Sequence, residues 1–480
     1  MSEPLDANYI LFSDVHLGAD LVHHVRPQLR ERLARPSALD RELAAMLDWY
    51  RAHRDPARPW CLVIAGDLVD FIGMAIAPLP DQPLETALND EERMHGLGSA
   101  CDHAVWKMRA VAERHPQVFD GLARFVAEGH HLVLVRGNHD IDFHWEAAQA
   151  AFVEALIDRL PSQAADAETQ ERFCSRIQFC PWFYYVEGLL YVEHGHQFDA
   201  VCNYPHLLAP LRAADPTRLH WSLSDWLLRG VARPTPGLGS EGHDERGPLD
   251  YFRFAWSLGL LGAVRLGYRY ARALVWAARS GRQMLGASAR VLRDENERAM
   301  EKLAKATRVR VERLRALADL WPRPVSSGWL GVLRNTFLDR LGALAGVLSL
   351  LFLLMAIGVP PAWLAAVGAG LGLGAAGFIA WSVRQRMREV NPVQSLRQAA
   401  RRISELFPAR YVVMGHTHVP ILERIGKAAT YVNLGNWGQD DLDGPVSHPA
   451  PRTHLVLRWV DGEPQAQLLR WSSERGPVPF

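Results

Sequence analysis

The sequence predicts an α/β fold whose core of strands and helices is interrupted by one large helical insertion. Short apolar runs recur, and each is followed by polar residues, which is typical of strands buried on both faces. Segments with helical periodicity at 39–49 and 119–128 lie between the first three runs. Spacing indicates the insertion, because 222 residues separate His194 from His416 in the last two polar clusters.

Five apolar runs are the candidate strands of the core: 9–12, 60–65, 132–135, 189–192 and 411–414. Each run delivers polar side chains at its carboxyl end, and the ligand sites of α/β sheets gather at that edge. Near the end of the chain, apolar segments at 455–459 and 466–471 flank Asp461-Gly462, which predicts a β-hairpin.

Composition and charge exclude several classes of protein. With 480 residues, of which 49% are hydrophobic, the chain is long enough for two or three domains and is not disordered as a whole. Lys and Arg (53) balance Asp and Glu (53), so no global basic surface indicates nucleic-acid binding. Five cysteines without a CxxC pair argue against a disulfide framework. Because no secretory signal precedes the first strand, we expect the catalytic part in the cytoplasm.

We divide the chain into a first core part at 1–204, a helical insertion at 205–405 and a last core part at 406–480. The insertion holds a basic aromatic stretch at 251–285, a densely charged helical stretch at 287–320 and a hydrophobic hairpin at 341–383. Uncharged runs at 341–359 and 362–383, separated by Pro360-Pro361, form this hairpin. Residues 251–340 contain 18 basic and 7 acidic side chains, so a basic region lies within a neutral protein.

Both uncharged runs are long enough to cross a bilayer, whose hydrocarbon core takes about 20 helical residues. Arginines flank the pair and the turn carries no charge, as expected when both ends are cytoplasmic; the flanking residues are Arg334, Arg340, Arg384, Arg386 and Arg388. A hairpin buried in a soluble core and a re-entrant hairpin are the alternatives. The stretch 251–285 is either a solvated amphipathic helix or an interfacial helix attracted to anionic lipid. We expect a membrane-associated protein at a bacterial inner membrane.

The polar clusters that follow the strands combine imidazole, carboxylate and amide groups. In order, they are Asp14-x-His16, Gly66-Asp67-x-x-Asp70, Gly137-Asn138-His139-Asp140, His194-Gly-His196 and Gly415-His416-x-His418. Imidazole and carboxylate without thiolate suit divalent manganese, iron or zinc. Seven such ligands are too many for one ion, whereas two ions that share a carboxylate use them all and activate a hydroxide for attack on a phosphoryl group. The expected cofactors are therefore two divalent metal ions, with manganese as the first choice.

This series of motifs resembles the calcineurin-like metallophosphoesterase superfamily over about residues 7–200 and 405–440. The resemblance implies an α+β sandwich of two sheets flanked by helices, with a dinuclear metal centre at the strand ends. It implies one ligand set for each ion and a carboxylate that bridges them. The ligands of the first ion would be Asp14, His16, Asp67 and His418. Asp67 would bridge to the second ion, whose other ligands would be Asn138, His194 and His416.

The same resemblance assigns the acid–base chemistry to His139, as a transition-state stabiliser or as the general acid for the leaving oxygen. Asp140 would orient the imidazole of His139, and Asp70 is expected to hold its own loop. His196 and Asp199 are expected to support the ligand His194. The segment that begins at Asn433 resembles the family's Asn-x-Gly-Ser turn, with Asn436 in place of the usual Ser.

Within the superfamily, the chain resembles the UDP-2,3-diacylglucosamine pyrophosphatases, which are peripheral membrane enzymes with a helical insertion between the fourth and fifth motifs. Those enzymes have Arg where this chain has His139, and their insertion is much shorter and has no hairpin of transmembrane length. From this resemblance we therefore take only the general location of a lid, formed by the helical insertion, and not the identity of the substrate.

These features predict a metallophosphoesterase that hydrolyses a phosphate ester or pyrophosphate, with a lipid-linked substrate at the inner membrane face as the first hypothesis. The second hypothesis is a membrane-tethered phosphodiesterase or phosphatase of soluble nucleotides. The third is a non-catalytic metal-binding scaffold, against which the filled ligand positions and His139 argue. The expected partners are a phosphate-containing substrate and membrane lipid, and no nucleic acid; the oligomeric state is left open.

Overall fold

A computed structural model shows two large β-sheets with helices packed on their outer faces, which confirms the predicted α/β class. The strands are β1 (Asn8–Phe12), β2 (Trp60–Ala65), β3 (His131–Val135), β4 (Ile177–Cys180), β5 (Phe183–Val186), β6 (Leu190–Glu193), β7 (Leu211–Arg212), β8 (Asp215–Leu219), β9 (Tyr411–Met414), β10 (Ile421–Ile425), β11 (Ala429–Asn433), β12 (Thr453–Val460), β13 (Glu463–Ser472) and β14 (Gly476–Pro479). The structure describes residues 6–22, 38–78, 83–161, 166–235, 238, 254, 256–284, 286–327, 338–389, 391–426, 429–438 and 451–480.

The first sheet has seven strands in the order β14-β13-β12-β1-β2-β3-β4. Strands β1 to β4 are parallel, whereas β12 to β14 pair antiparallel with their neighbours. The predicted hairpin joins β12 to β13. Its two turn residues, Asp461 and Gly462, both have positive φ (52° and 81°), as a two-residue hairpin turn requires.

The second sheet has five strands in the order β10-β11-β9-β6-β5, and β7 and β8 form a separate small hairpin. Strands β6 and β9 are parallel neighbours, with Leu190 opposite Tyr411 and Val192 opposite Val413. The whole insertion lies between these two strands in the sequence. Its two ends therefore return to adjacent positions in one sheet.

The two large sheets pack face to face through an apolar layer that includes Leu11 and Val63 of the first sheet and Val192 and Val413 of the second. Alternate residues of the first sheet, such as Phe12, point to the opposite face and pack against helices. Because both faces of β1, β2 and β3 are covered, these strands read as continuous apolar runs in the sequence.

Helices cover the outer faces of both sheets. They are α1 (Ala38–Ala52), α2 (Asp90–His95), α3 (Cys101–Arg114), α4 (Pro116–Ala127), α5 (Glu146–Ile157), α6 (Ala167–Cys174), α7 (Leu223–Leu227), α8 (Gly259–Gln283), α9 (Ala287–Thr307), α10 (Val311–Ala318), α11 (Leu338–Ala356), α12 (Pro361–Glu389) and α13 (Pro392–Leu406). Helices α1, α3, α4 and α5 pack on the first sheet. Helices α8, α9, α10 and α13 share an apolar core with the outer face of the second sheet, where Leu396 and Ile403 meet Val412 and Met414.

Helices α11 and α12 form a hairpin that coincides closely with the uncharged runs predicted at 341–359 and 362–383. The two helices contact each other, and none of their described side chains is buried. Among the described helices, one segment, Pro361–Phe378, is long and apolar enough to cross a membrane, with a mean hydropathy of 1.4; Gly346–Ala356 is a shorter apolar stretch. Arg334, which we expected to flank the hairpin, lies outside the described residues.

Candidate metal centre

The predicted site residues lie where strands of the two sheets end. Asp14 and His16 follow β1, Asp67 follows β2, and Asn138 follows β3 in the first sheet. In the second sheet, one ligand position follows β6 and two follow β9: His194, His416 and His418. The carboxyl ends of parallel strands share one edge of a sheet, so the sandwich brings all seven positions to one side of the core.

Backbone conformation distinguishes five of these positions from ordinary loop residues. Each has a positive φ between 54° and 70°, in the left-handed region that non-glycine residues seldom adopt: Asp14, His16, Asp67, His416 and His418. Such conformations cost about 1–3 kcal/mol each and persist where the surrounding structure holds them. Their concentration at one place indicates a functional site, because strained residues cluster where side chains must be aimed precisely.

The first cluster consists of Asp14, His16 and His418, whose ligand atoms all lie within 4.8 Å of one another. Oδ1 of Asp14 is 3.2 Å from Nε2 of His418 and 4.0 Å from Nε2 of His16. Nε2 of His16 is buried and forms no hydrogen bond with a described residue. A buried polar atom without a partner is costly, so this cluster fits a divalent cation that Nε2 of His16 and Oδ1 of Asp14 would bind.

The second cluster is built around His194. Its Nε2 is 3.1 Å from Oδ2 of Asp67 and 3.1 Å from Oδ1 of Asn138. Nδ1 of His194 lies 2.9 Å from the carbonyl oxygen of Ala65, which directs Nε2 into the site. Asp67, Asp14 and His194 also form a cluster of their own, so the two clusters are contiguous.

Electrostatics at the site favours added positive charge. Burial opposes a charged imidazole, but Asp67 and Asp14 outweigh burial and raise the pKa of His194 to about 9. Burial also opposes the charged form of Asp14, yet His194 and His418 lower the pKa of this carboxyl group to about 2. The site thus holds ionised carboxylates that attract a cation, which is the electrostatic condition for binding divalent metal.

His416 lies beside His194, with ring centroids 5.3 Å apart, but its Nε2 contacts Oδ2 of Asp199 at 3.2 Å. Asp199 therefore supports His416, whereas we had expected it to support His194. His196 is buried with both ring nitrogens unbonded, 5.5 Å from His194 between the ring centroids. The sequence could not assign Asp199, because its partner is 217 residues away.

The carboxylate that contacts the imidazole of His139 is that of Asp70, whereas we predicted Asp140. Nδ1 of His139 lies 2.7 Å from Oδ1 of Asp70, while both oxygens of Asp140 accept backbone N–H groups, from Gly137 at 2.5 Å and Leu68 at 2.9 Å. Asp140 thus holds the loops after β2 and β3 together.

Two glycines in the motifs allow the close approach of these loops. A Cβ atom on Gly415 would lie 2.5 Å from Oδ2 of Asp14, and one on Gly137 would overlap the carboxylate of Asp67. The turn that resembles Asn-x-Gly-Ser has a related role. Asn433 donates from Nδ2 to the carbonyl oxygen of Gly415 at 2.7 Å, and the backbone N–H groups of Trp437 and Gly438 donate to the carbonyl oxygen of Asp14. This turn fixes the loops that carry the ligands.

Comparison with known proteins agrees with this geometry. Residues 7–229 match the family of calcineurin-like phosphoesterases. No curated protein matches the chain. The matched part contains the clusters after β1, β2, β3 and β6, and the two histidines after β9 lie beyond it. The family consists of hydrolases that act on phosphate esters with divalent metals, and the described residues form clusters suited to such ions. The match and the clusters together support metal-dependent hydrolysis of phosphate esters by this chain.

Proposed function

We propose that the protein hydrolyses a phosphate ester or pyrophosphate of a lipid-linked substrate at a membrane surface, with two divalent ions at the candidate metal centre. The observation that carries the proposal is the presence, in one chain, of a phosphoesterase site and of helices with exposed apolar faces. Manganese is our first choice for both ions, because the ligands are imidazole, carboxylate and amide without thiolate.

The proposed ligand sets are those of the sequence prediction. One ion would be held by Asp14, His16, Asp67 and His418. The other ion would be held by Asp67, Asn138, His194 and His416. When bound, such ions polarise phosphoryl oxygens and lower the pKa of water.

His139 would donate a proton to the leaving oxygen. Burial opposes its protonation, but Asp70 and Asp67 outweigh burial and raise the pKa of His139 to about 10. With Nδ1 held by Asp70, Nε2–H remains for the substrate.

Helix α8 supports the membrane location. Its outer face is apolar, with Leu260, Leu261, Val264 and Tyr268 all exposed, and Leu260 is 82% exposed. The helix contains no acidic residue and has five arginines: Arg265, Arg269, Arg272, Arg279 and Arg282. An exposed apolar stripe between arginines suits the interface of an anionic bilayer, whereas a solvated helix exposes polar groups.

The hairpin of α11 and α12 supports the same location. Its exposed side chains include Phe352, Met355, Ile357, Trp363 and Leu373, each more than half exposed. An apolar surface of this extent is unfavourable in water and favourable in lipid. Because β6 and β9 are neighbours, a spanning hairpin must cross the membrane twice to return the chain to one site. We propose that both ends of the hairpin are cytoplasmic.

A substrate screen tests the proposal. Full-length protein loaded with Mn²⁺ in phospholipid vesicles is assayed against diacylglycerol pyrophosphate, phosphatidic acid, nucleotides and aryl phosphates, with Asp67→Ala as the control for contaminating activity. We expect kcat/KM to be highest for one of the lipids. A nucleotide that is turned over faster than every lipid would replace the lipid hypothesis with that of a tethered nucleotide phosphoesterase.

A further inference from the structure

Arg233, a residue of the insertion, reaches into the proposed active site. This residue follows α7 and a turn of π-helix at Leu228–Ala232, and its guanidinium extends to Asp70 in the loop after β2. Nη2 of Arg233 lies 2.5 Å from Oδ2 of Asp70; the Asp70 side chain is buried, and 9% of the Arg233 side chain is exposed. The contact joins residues 163 positions apart in the sequence.

Asp70 divides its two oxygens between the insertion and the catalytic histidine. Oδ1 accepts from the backbone N–H of Gly73 and from Nδ1 of His139, both at 2.7 Å, while Oδ2 accepts from Arg233. The guanidinium on one oxygen and the Gly73 amide on the other fix the rotation of the carboxylate. His139 is therefore held by a carboxylate that Arg233 holds in turn.

The absence of a side chain at Gly73 provides the space that the Arg233 guanidinium occupies beside Asp70. A Cβ atom at position 73 would lie 2.8 Å from Nε of Arg233 and would overlap Oδ2 of Asp70. Any other residue would push the guanidinium and the carboxylate apart. The close approach of the two groups is thus built into the loop after β2.

A neighbouring arginine secures the segment that carries Arg233. Arg229 is buried, donates from Nε to Oε1 of Glu91 at 2.9 Å, and donates to the carbonyl oxygens of Met74 and Gly96 at 3.1 and 3.0 Å. These bonds attach the insertion to the core through Glu91 and the backbone of Met74 and Gly96. Arg229 is therefore a structural attachment, and Arg233 makes the separate contact with Asp70.

We propose that Arg233 is a positioning residue of the active site, which aims His139 at the leaving oxygen by fixing Asp70. The insertion then completes the catalytic site in addition to contacting the membrane. The proposal rests on the role given to His139 under the proposed function. It adds a residue of the insertion to the catalytic machinery, and it assigns Gly73 the role of admitting that residue.

The kinetic test compares Arg233→Met and Arg233→Lys with a matched control, Arg315→Met, which removes an exposed arginine of the insertion that pairs with Glu297. With p-nitrophenyl phosphate and Mn²⁺, we expect kcat of Arg233→Met to fall about 10- to 100-fold, as for partners that orient reactive groups. KM and bound metal should stay unchanged. Arg233→Lys should recover part of the loss, and Arg315→Met should match the unaltered protein. In the His139→Ala background, Arg233→Met should add no further loss.

A crystal structure of Arg233→Met gives a readout that does not depend on turnover. We expect the contact between Asp70 and His139 to open beyond hydrogen-bonding distance while the fold is retained. If that contact and kcat both persist, the proposal is wrong. If the variant loses metal or thermal stability together with kcat, Arg233 stabilises the fold and is not a positioning residue, and the proposal is also wrong. Should the unaltered protein hydrolyse no phosphate ester, the proposed function fails, and the same crystal structure still decides whether Arg233 positions His139.

Discussion

His139 and His16 have opposite protonation preferences although their ring centroids are only 4.5 Å apart. Burial, reinforced by the charge on His139, lowers the pKa of His16 to about 4. For His139, burial is outweighed by Asp70 and Asp67, and the pKa rises to about 10. At neutral pH, the imidazole of His16 is therefore neutral, as a metal ligand must be, and the imidazole of His139 is protonated. Groups whose surroundings separate their pKa values in this way divide acid and ligand roles.

The first residue-scale prediction concerns the chemical step. Replacement of His139 by Ala should lower kcat by about 10²- to 10⁴-fold, the range for a general acid. Metal content should be unchanged, because His139 is not among the proposed ligands. Steady-state kinetics combined with elemental analysis checks both statements. Loss of an ion from His139→Ala would make His139 a ligand and would refute its assignment as the acid.

A second residue-scale prediction concerns stability at low pH. Burial, aided by Arg212 and His206, lowers the pKa of His220 from its usual 6.5 to about 3. Between these values the unfolded chain binds a proton that the folded chain does not. The contribution of His220 to the free energy of unfolding is therefore fully present above about pH 6.5. This contribution is lost as pH falls, by up to about 1.4 kcal/mol per pH unit.

Replacement of His220 by Gln removes this titration and keeps a polar group near Oγ of Ser280, its partner at 3.2 Å. Denaturant unfolding at pH 7 and about pH 4.5 should show a smaller loss of unfolding free energy for His220→Gln than for the unaltered protein. Equal losses in the two proteins would show that His220 is not buried in its neutral form.

The sequence predicts which residues gather at the site better than it predicts how they pair. All seven ligand positions follow strands that are recognisable as apolar runs, so their convergence follows from strand order. The partner of His139 could not be predicted in this way. Asp140 is its neighbour in the sequence, but the side chain directions of the loops after β2 and β3 place Asp70 beside the ring.

At the scale of elements, the extent of burial determines which strands can be predicted from the sequence. Strands β1, β2, β3, β6 and β9 are buried along almost their whole length, and each was predicted from its apolar run. Strands β4 and β10, which end their sheets, are only partly buried, and their more exposed residues alternate with less exposed ones. Such short half-buried strands give a weak signal, so they emerged only from the structure.

The element-scale prediction concerns the hairpin of α11 and α12. The full-length protein should require detergent for extraction from membranes. After deletion of 341–383 with a short linker, we expect extraction by high salt alone, because the arginines of α8 would then provide the attachment and salt screens them. Fractionation of both proteins in low salt, high salt and detergent is the measurement. A full-length protein that is soluble without detergent would refute the membrane location.

At the scale of the whole molecule, the site depends on segments far apart in the chain. The proposed ligands His194 and His416 are 222 residues apart and meet because β6 and β9 are adjacent parallel strands. The resemblance to metallophosphoesterases predicted the two sheets, and the spacing of the polar clusters predicted the insertion between β6 and β9. It could not predict that the insertion packs on the second sheet through α13, or that Arg233 reaches Asp70, because these contacts arise from tertiary packing.

The central claim is that hydrolysis requires two divalent ions, which Asp67 and the other six proposed ligands would hold. The most direct test measures bound metal and phosphoesterase activity together in the full-length protein, before and after chelation, and in Asp67→Ala. We predict about two divalent ions per chain, loss of activity to background on chelation with recovery when Mn²⁺ is restored, and the loss of both ions and of activity in Asp67→Ala. Undiminished turnover in Asp67→Ala, or in the metal-stripped protein, would contradict the dinuclear mechanism.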